Sequence, residues 1–301
     1  MADESTTSSM AGIGPAQVSN FLISEPRDEA VLAPLVHWQD AMGSLSVAQG
    51  AITSTLSATA ITNGATEADA ASSWSQVTTA AATFTPAIKA AFVIVSMQRM
   101  RSSPVDVVGS VRGIVERGLV NKLESDIGAL GGGFSNTAGT SGAALAIAAL
   151  QVAATKFRGG AKRGSDVGVY CLHSKSFGDA ESDALTSQSS FFTHPELASI
   201  LTSASGAQRT AYRGAIFGYP ILVTDNMEST GGNYENMLVR PFVPARAELG
   251  AAIGGGWDGF GEIEVASQMP NRSTAMSVAG TVRYAVGEEL DVNGVLIYGG
   301  N

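Results

Sequence analysis

The chain has 301 residues, 45% of them apolar and only 15% charged, with 35 glycines and a net charge of −9 from 18 basic and 27 acidic side chains. That balance argues against a basic nucleic-acid binder, whose affinity comes from phosphate neutralisation, and the single Cys171 excludes an intramolecular disulfide or a multi-cysteine zinc site. A charged fraction so far below the ~25% usual for soluble proteins implies a surface covered largely by copies of the same chain.

Residues 1 to about 27 read as a polar arm with apolar anchors at Ile13, Val18, Phe21, Leu22 and Ile23. The start is acidic, with no basic n-region and no apolar run, so no signal peptide is expected. Val31, Leu35 and Trp38 have helical spacing, interrupted by Pro34, and predict a short helix over Asp28 to Met42. Ser44 to Phe84 is almost entirely Ala, Ser, Thr and Gly, with Ile52, Leu56, Ile61, Trp74 and Val77 spaced as on extended strands. Asn63-Gly64 supplies the positive φ of a tight turn, so the stretch reads as a long two-stranded excursion. An isolated hairpin is marginal in water, and a neighbouring subunit is its simplest support.

Thr85 to Ser96 predicts a strand. Ser103-Pro104-Val105-Asp106 reads as a helix start, and Val108, Val111, Val115, Leu119, Leu123, Ile127 and Leu130 follow at spacings of three and four. The expected helix runs about 27 residues, or ~40 Å. Gly109, Gly113 and Gly118 weaken it intrinsically, so packing must hold it, and close approach of another element is expected at Gly113 and Gly118. A second helix is expected from Ser141 to Gly159-Gly160, then a buried strand over Val167 to His173, a short helix at Thr193-His194-Pro195-Glu196, and strands at Tyr219 to Val223 and Met237 to Val243. From Phe260 the period is two, ending in Val295 to Tyr298, with Asn293-Gly294 as a second hairpin signal.

No catalytic signature emerges. Gly139-Thr140-Ser141-Gly142 is not a nucleophile elbow, and Gly12-Ile13-Gly14 is not a dinucleotide fingerprint. His37, His173 and His194 do not share a metal-ligand spacing, and His173 ending a buried strand reads as a satisfied polar residue. Glu262 with Glu264, and Glu288, Glu289 and Asp291, read as solvated edges, while Cys171 lies in an apolar run as a buried thiol. No enzyme activity, cofactor or metal is expected.

The order of these elements resembles the major capsid proteins of tailed bacteriophages, with the Hong Kong 97 capsid fold, an α+β class. The resemblance rests on the polar arm, the Ala/Ser/Thr hairpin from Gly50 to Thr83, Phe92-Val93-Ile94-Val95-Ser96 before the long helix, Val167 to Ser174, and Arg213 to Asp225 as a "G-x-I-x-G-x-P-V" strand pair. It implies an arm and short helix over residues 1–49, an extended loop over 50–84, a peripheral domain over 85–133 and 246–301 with the long spine helix, and an axial domain over 134–245. It implies hexamers and pentamers closing an icosahedral shell around double-stranded DNA. Implied partners are a portal at one vertex and a scaffolding protein, with no membrane; the resemblance leaves open whether a cement protein binds outside. The arm anchors and the hairpin residues Ile52, Leu56, Ile61, Trp74 and Val77 are the expected inter-subunit contacts. The recognisable fold begins by about residue 40, so a separate scaffolding protein is expected rather than a cleaved leader. No Lys lies between Met1 and Ile88, so the loop holds no candidate for a Lys–Asn cross-link; Lys89 sits at its base. An encapsulin, which shares the fold and packages protein cargo, is the alternative.

Overall fold

The computed structural model describes residues 4–5, 30–40, 46–52, 79–102, 106–160, 167–186, 211–227, 229–230, 233–245, 250–258, 264–268 and 275–300. The anchors Ile13 to Ile23, the hairpin tip with Asn63-Gly64, and His194 lie outside them.

Two sheets carry the molecule. The first contains β1 (Glu4–Ser5), β2 (His37–Asp40), β5 (Ala87–Ser96), β12 (Ile253–Asp258), β13 (Glu264–Gln268) and β14 (Ala275–Glu288). Its order is β1-β5-β14-β12-β2, with β13 also on β14. The second contains β6 (Thr137–Ala138), β7 (Val169–Leu172), β8 (Tyr212–Ile216), β9 (Tyr219–Val223), β10 (Ser229–Thr230), β11 (Asn233–Val239) and β15 (Gly294–Gly299). Its order is β6-β15-β11-β7-β9-β8, with β10 also on β11. A separate two-stranded sheet pairs β3 (Val47–Ile52) with β4 (Thr79–Phe84), Val47 opposite Phe84 and Ile52 opposite Thr79. It forms the base of the expected excursion.

The long helix α2 (Val107–Gly128) lies on the first sheet. Val111, Val115, Leu119, Leu123 and Ile127 recur every four residues and form one buried stripe, facing a core that includes Val95, Val278, Val282 and Tyr284. Each such side chain contributes roughly 1.5–3 kcal/mol relative to exposure, which offsets the cost of Gly109, Gly113 and Gly118 inside the helix. Over the second sheet, α3 (Ile147–Gly160) and α4 (Ser174–Thr186) supply Leu150, Phe157, Phe177 and Ala180 to a core with Tyr170, Leu172, Ile221 and Ile297. The all-buried β7 is paired on both sides, antiparallel to β11 and parallel to β9.

Several sequence expectations are corrected. The predicted helix over 28–42 is instead a 3-10 turn at Ala33–Leu35 followed by β2, because Gly254 to Trp257 of β12 offer His37 to Asp40 a parallel partner. The long helix is capped by Asp106, whose Oδ1 accepts from Gly109 N at 3.0 Å, and a short helix α1 (Met97–Ser102) precedes it. The second helix starts at Ile147, not Ser141. Asp183 of α4 caps it by accepting from Ile147 N at 2.8 Å, while residues 141–142 form a turn with Gly142 at φ 81°. Asn293-Gly294 makes no hairpin: β14 pairs with β5, β12 and β13, whereas β15 inserts between β6 and β11 of the second sheet. The last strand therefore does not return to the first sheet with the rest of the tail.

Candidate assembly surfaces

The N-terminal strap, residues 30–40, is bound by one buried carboxylate. Glu124 of α2 accepts from Val31 N, Leu32 N and Ala33 N at 3.0, 2.7 and 2.8 Å. Its place in the helical stripe gave no sequence signal, because an acid next to Leu123 reads as a solvated turn. Trp38 Nε1 donates to Ala33 O at 2.9 Å, and its ring covers Gly255, where a Cβ would collide with it. His37 stacks on Phe242 with centroids 3.9 Å apart, and its Nδ1 lies 3.1 Å from Glu289 Oε2. Burial raises the Glu289 carboxyl above its ordinary value, with His37 opposing; burial and then Asp291 raise Glu288 likewise.

The first sheet buries only one face under α2. On the other, Ile88 is 70% exposed and Phe92 61% exposed. Both project from β5 beside Arg283 and Ala279 of β14. The apolar run Ala91 to Val95 reads as a strand covered on both faces; the structure covers one, so the signal for a partner surface lies in that mismatch. Ile114, 48% exposed on α2, is another apolar side chain turned outward.

The polar clusters elsewhere are structural. Tyr284 donates to Asp126 at 2.8 Å, Lys122 bridges the same carboxylate at 2.7 Å, and Lys89 approaches it at 3.8 Å. Lys89 thus faces its own subunit. His173 stacks on Tyr234 at 3.7 Å, and burial holds its imidazole below the ordinary value while Asp225, 3.7 Å away, pulls it upward. Cys171 is fully buried, which pushes its thiol far up. Among the described residues no group of three or more His, Cys, Asp or Glu could hold a metal ion. No described helix is long and apolar enough to cross a membrane.

No family model and no curated protein sequence matches this chain. Solved structures do. The capsid of Ralstonia phage GP4 aligns at TM-score 0.70 and 8% identity over 94% of both chains. The capsid of a native GTA particle aligns at 0.63 and 11% identity over 100% of both. The SrpI encapsulin of Synechococcus elongatus PCC 7942 aligns at 0.63 and 14% identity, covering 93% of this chain and 92% of that one. The chain has the Hong Kong 97 capsid fold.

On this fold the expected contact residues are only partly placed. Ile52 ends β3, opposite Thr79. Leu56, Ile61, Trp74 and Val77 lie outside the described residues, as do the arm anchors. Among the described residues a Cβ at Gly113 or Gly118 meets nothing within 4 Å, so no described element of the subunit makes the expected close approach, and Gly118 is exposed. The close approach of another element is at Gly128, where the Asn226 carbonyl occupies the place of a Cβ, while a Cβ at Gly109 would meet only the helix's own cap, Asp106. Gly118 occupies a turn of α2 that faces solvent, whereas Gly128 lies where α2 meets the turn after β9.

Proposed function

We propose that this protein is the major capsid protein of a tailed bacteriophage, a structural and non-catalytic subunit. The observation that carries the reading is end-to-end likeness to shell-forming chains, covering more than nine-tenths of both partners in each alignment. It is supported by the exposed Ile88 and Phe92, the low charge, and a two-stranded hairpin base whose ladder is separate from both sheets and which Phe84 seats on the first. On this reading the first sheet with α2 is the peripheral domain, and the second sheet, including β15, is the axial domain. Copies associate head to tail into hexamers and pentamers, and heterologous contacts close into rings when the rotation permits. The assembly encloses double-stranded DNA without sequence-specific grip, and takes a portal at one vertex and a scaffolding protein during assembly in the host cytoplasm. The arm anchors and hairpin residues supply contacts on neighbours.

Electron microscopy of the purified chain tests this directly: closed shells are expected, and a chain that stays monomeric at all concentrations overturns it. The encapsulin likeness supports a second reading, a protein-cargo compartment. Particles isolated from the native source separate the two, since a phage head yields nuclease-protected double-stranded DNA and a compartment yields a co-purifying protein.

A further inference from the structure

His173 closes the N-terminus of α4 with an imidazole ring rather than a short polar side chain. Its carbonyl accepts from Phe177 N at 2.9 Å, the first bond of the helix. Its Nδ1 accepts from Lys175 N at 3.2 Å. That is the geometry of an N-cap, which satisfies one of the N–H groups that a helix start leaves unpaired. The ring is held in place on two sides. It lies on Tyr234, 6° from parallel with centroids 3.7 Å apart, and the backbone N of His173 donates to Asn236 Oδ1 at 2.7 Å. Asn236 is fully buried, and its Nδ2 donates to Ser176 Oγ at 3.1 Å, so β11 fixes the first turn of α4.

A ring nitrogen that accepts a hydrogen bond carries no proton. Nδ1 is therefore bare, and the proton of the neutral ring sits on Nε2, which faces Asp225 Oδ1 at 3.7 Å. A second proton can enter only at Nδ1. There it turns the acceptor into a donor aimed at the Lys175 N–H. The charged groups around the ring are Asp225, from the turn after β9, and Lys175, on α4 itself; Tyr234 and Asn236 of β11 are neutral. Burial of a side chain only 14% exposed opposes the charged ring, Asp225 favours it, and Lys175 opposes it.

We propose that His173 is a proton-operated cap: neutral, it holds the first turn of α4; charged, it releases the Lys175 N–H and turns to Asp225. The exchange reaches beyond the helix end. Asp225 also accepts from Ser174 Oγ, and its turn sets the Asn226 carbonyl against Gly128 of α2 and Met227 in the core that α2 shares with both sheets. The cap thus ties protonation to the place where the long helix meets the second sheet. Because the folded value lies below the ordinary one, the cap is complete above about pH 6.5 and is lost as pH falls.

Hydrogen–deuterium exchange of the full chain tests this, followed at residues 174–178 and corrected for the intrinsic rate at each pH. Between about pH 7.5 and about pH 5, either side of the ordinary histidine value of about 6.5, protection there should fall about fivefold, the size of a lost cap. The middle of α3 should keep its protection. His173→Asn retains an N-cap acceptor that does not titrate, so residues 174–178 should be equally protected at both pH values. A flat profile in the unmodified chain overturns the proposal, and so does an Asn variant that loses protection as the unmodified chain does. A second measurement needs no variant. The chain has three histidines, and 15N labelling of their rings should show His173 at about pH 7.5 with a bare Nδ1 and a protonated Nε2; a proton on Nδ1 overturns the proposal. Neither readout depends on particles, so a chain that forms no shells sinks the shell reading and leaves this test intact.

Discussion

Glu124 satisfies three backbone N–H groups at the point where the strap enters the body. Glu124→Ala leaves those donors buried without an acceptor, a cost on the order of 3 kcal/mol or more. Denaturant unfolding of the unassembled subunit should show that loss, with Glu124→Gln losing less. Glu288 and Glu289 act in the opposite sense. Their folded values are raised, so their contribution is full below the ordinary carboxyl value of about 4.3 and declines as pH rises through the folded values. Glu288→Gln should flatten the fall in Tm as pH rises above the ordinary carboxyl value of about 4.3; an unchanged pH profile would refute the assignment. Cys171 should not react with a thiol reagent until the subunit unfolds, because its thiol is buried and held protonated.

At the scale of elements, α2 shows how far periodicity carries. The every-fourth-residue stripe from Val111 to Ile127 located the helix and its buried face. The strand pair Arg213 to Thr224 was legible for a different reason. The turn Phe217-Gly218 takes φ of 52° and 87°, and Gly218 marks it, while Arg158 Nη2 holds it by donating to Phe217 O at 2.6 Å. What stayed hidden was tertiary: parallel pairing pulled His37–Asp40 out of a helical pattern, Glu124 had no local signature, and Asn293-Gly294 looked like a hairpin because a sequence cannot show that β14 and β15 lie in different sheets. The helix glycines give a sharp check. Gly113→Ala and Gly118→Ala should each stabilise the subunit by up to about 1 kcal/mol, since a Cβ meets nothing within 4 Å among the described residues. Gly128→Ala should destabilise it against the Asn226 carbonyl. Calorimetry of the three variants distinguishes them.

At the scale of the whole molecule, stability and assembly should come apart. Phe92→Asp and Ile88→Asp change exposed side chains, so the subunit's unfolding free energy should move by no more than about 0.5 kcal/mol, while closed particles disappear from micrographs. Deleting Ala60 to Ser72 should behave the same way, because both sheets and the β3–β4 pairing lie outside the deletion. Normal shells from either change would remove these surfaces from the assembly.

The seating of β15 between β6 and β11 has a mechanical consequence. The chain passes from the first sheet to the second after α2, back before β12, and across again after β14. Three covalent crossings therefore bear any tension that drives the two halves apart. A wall pressed outward by its contents would load all three at once, and would sooner slide one subunit past the next than tear a subunit in two.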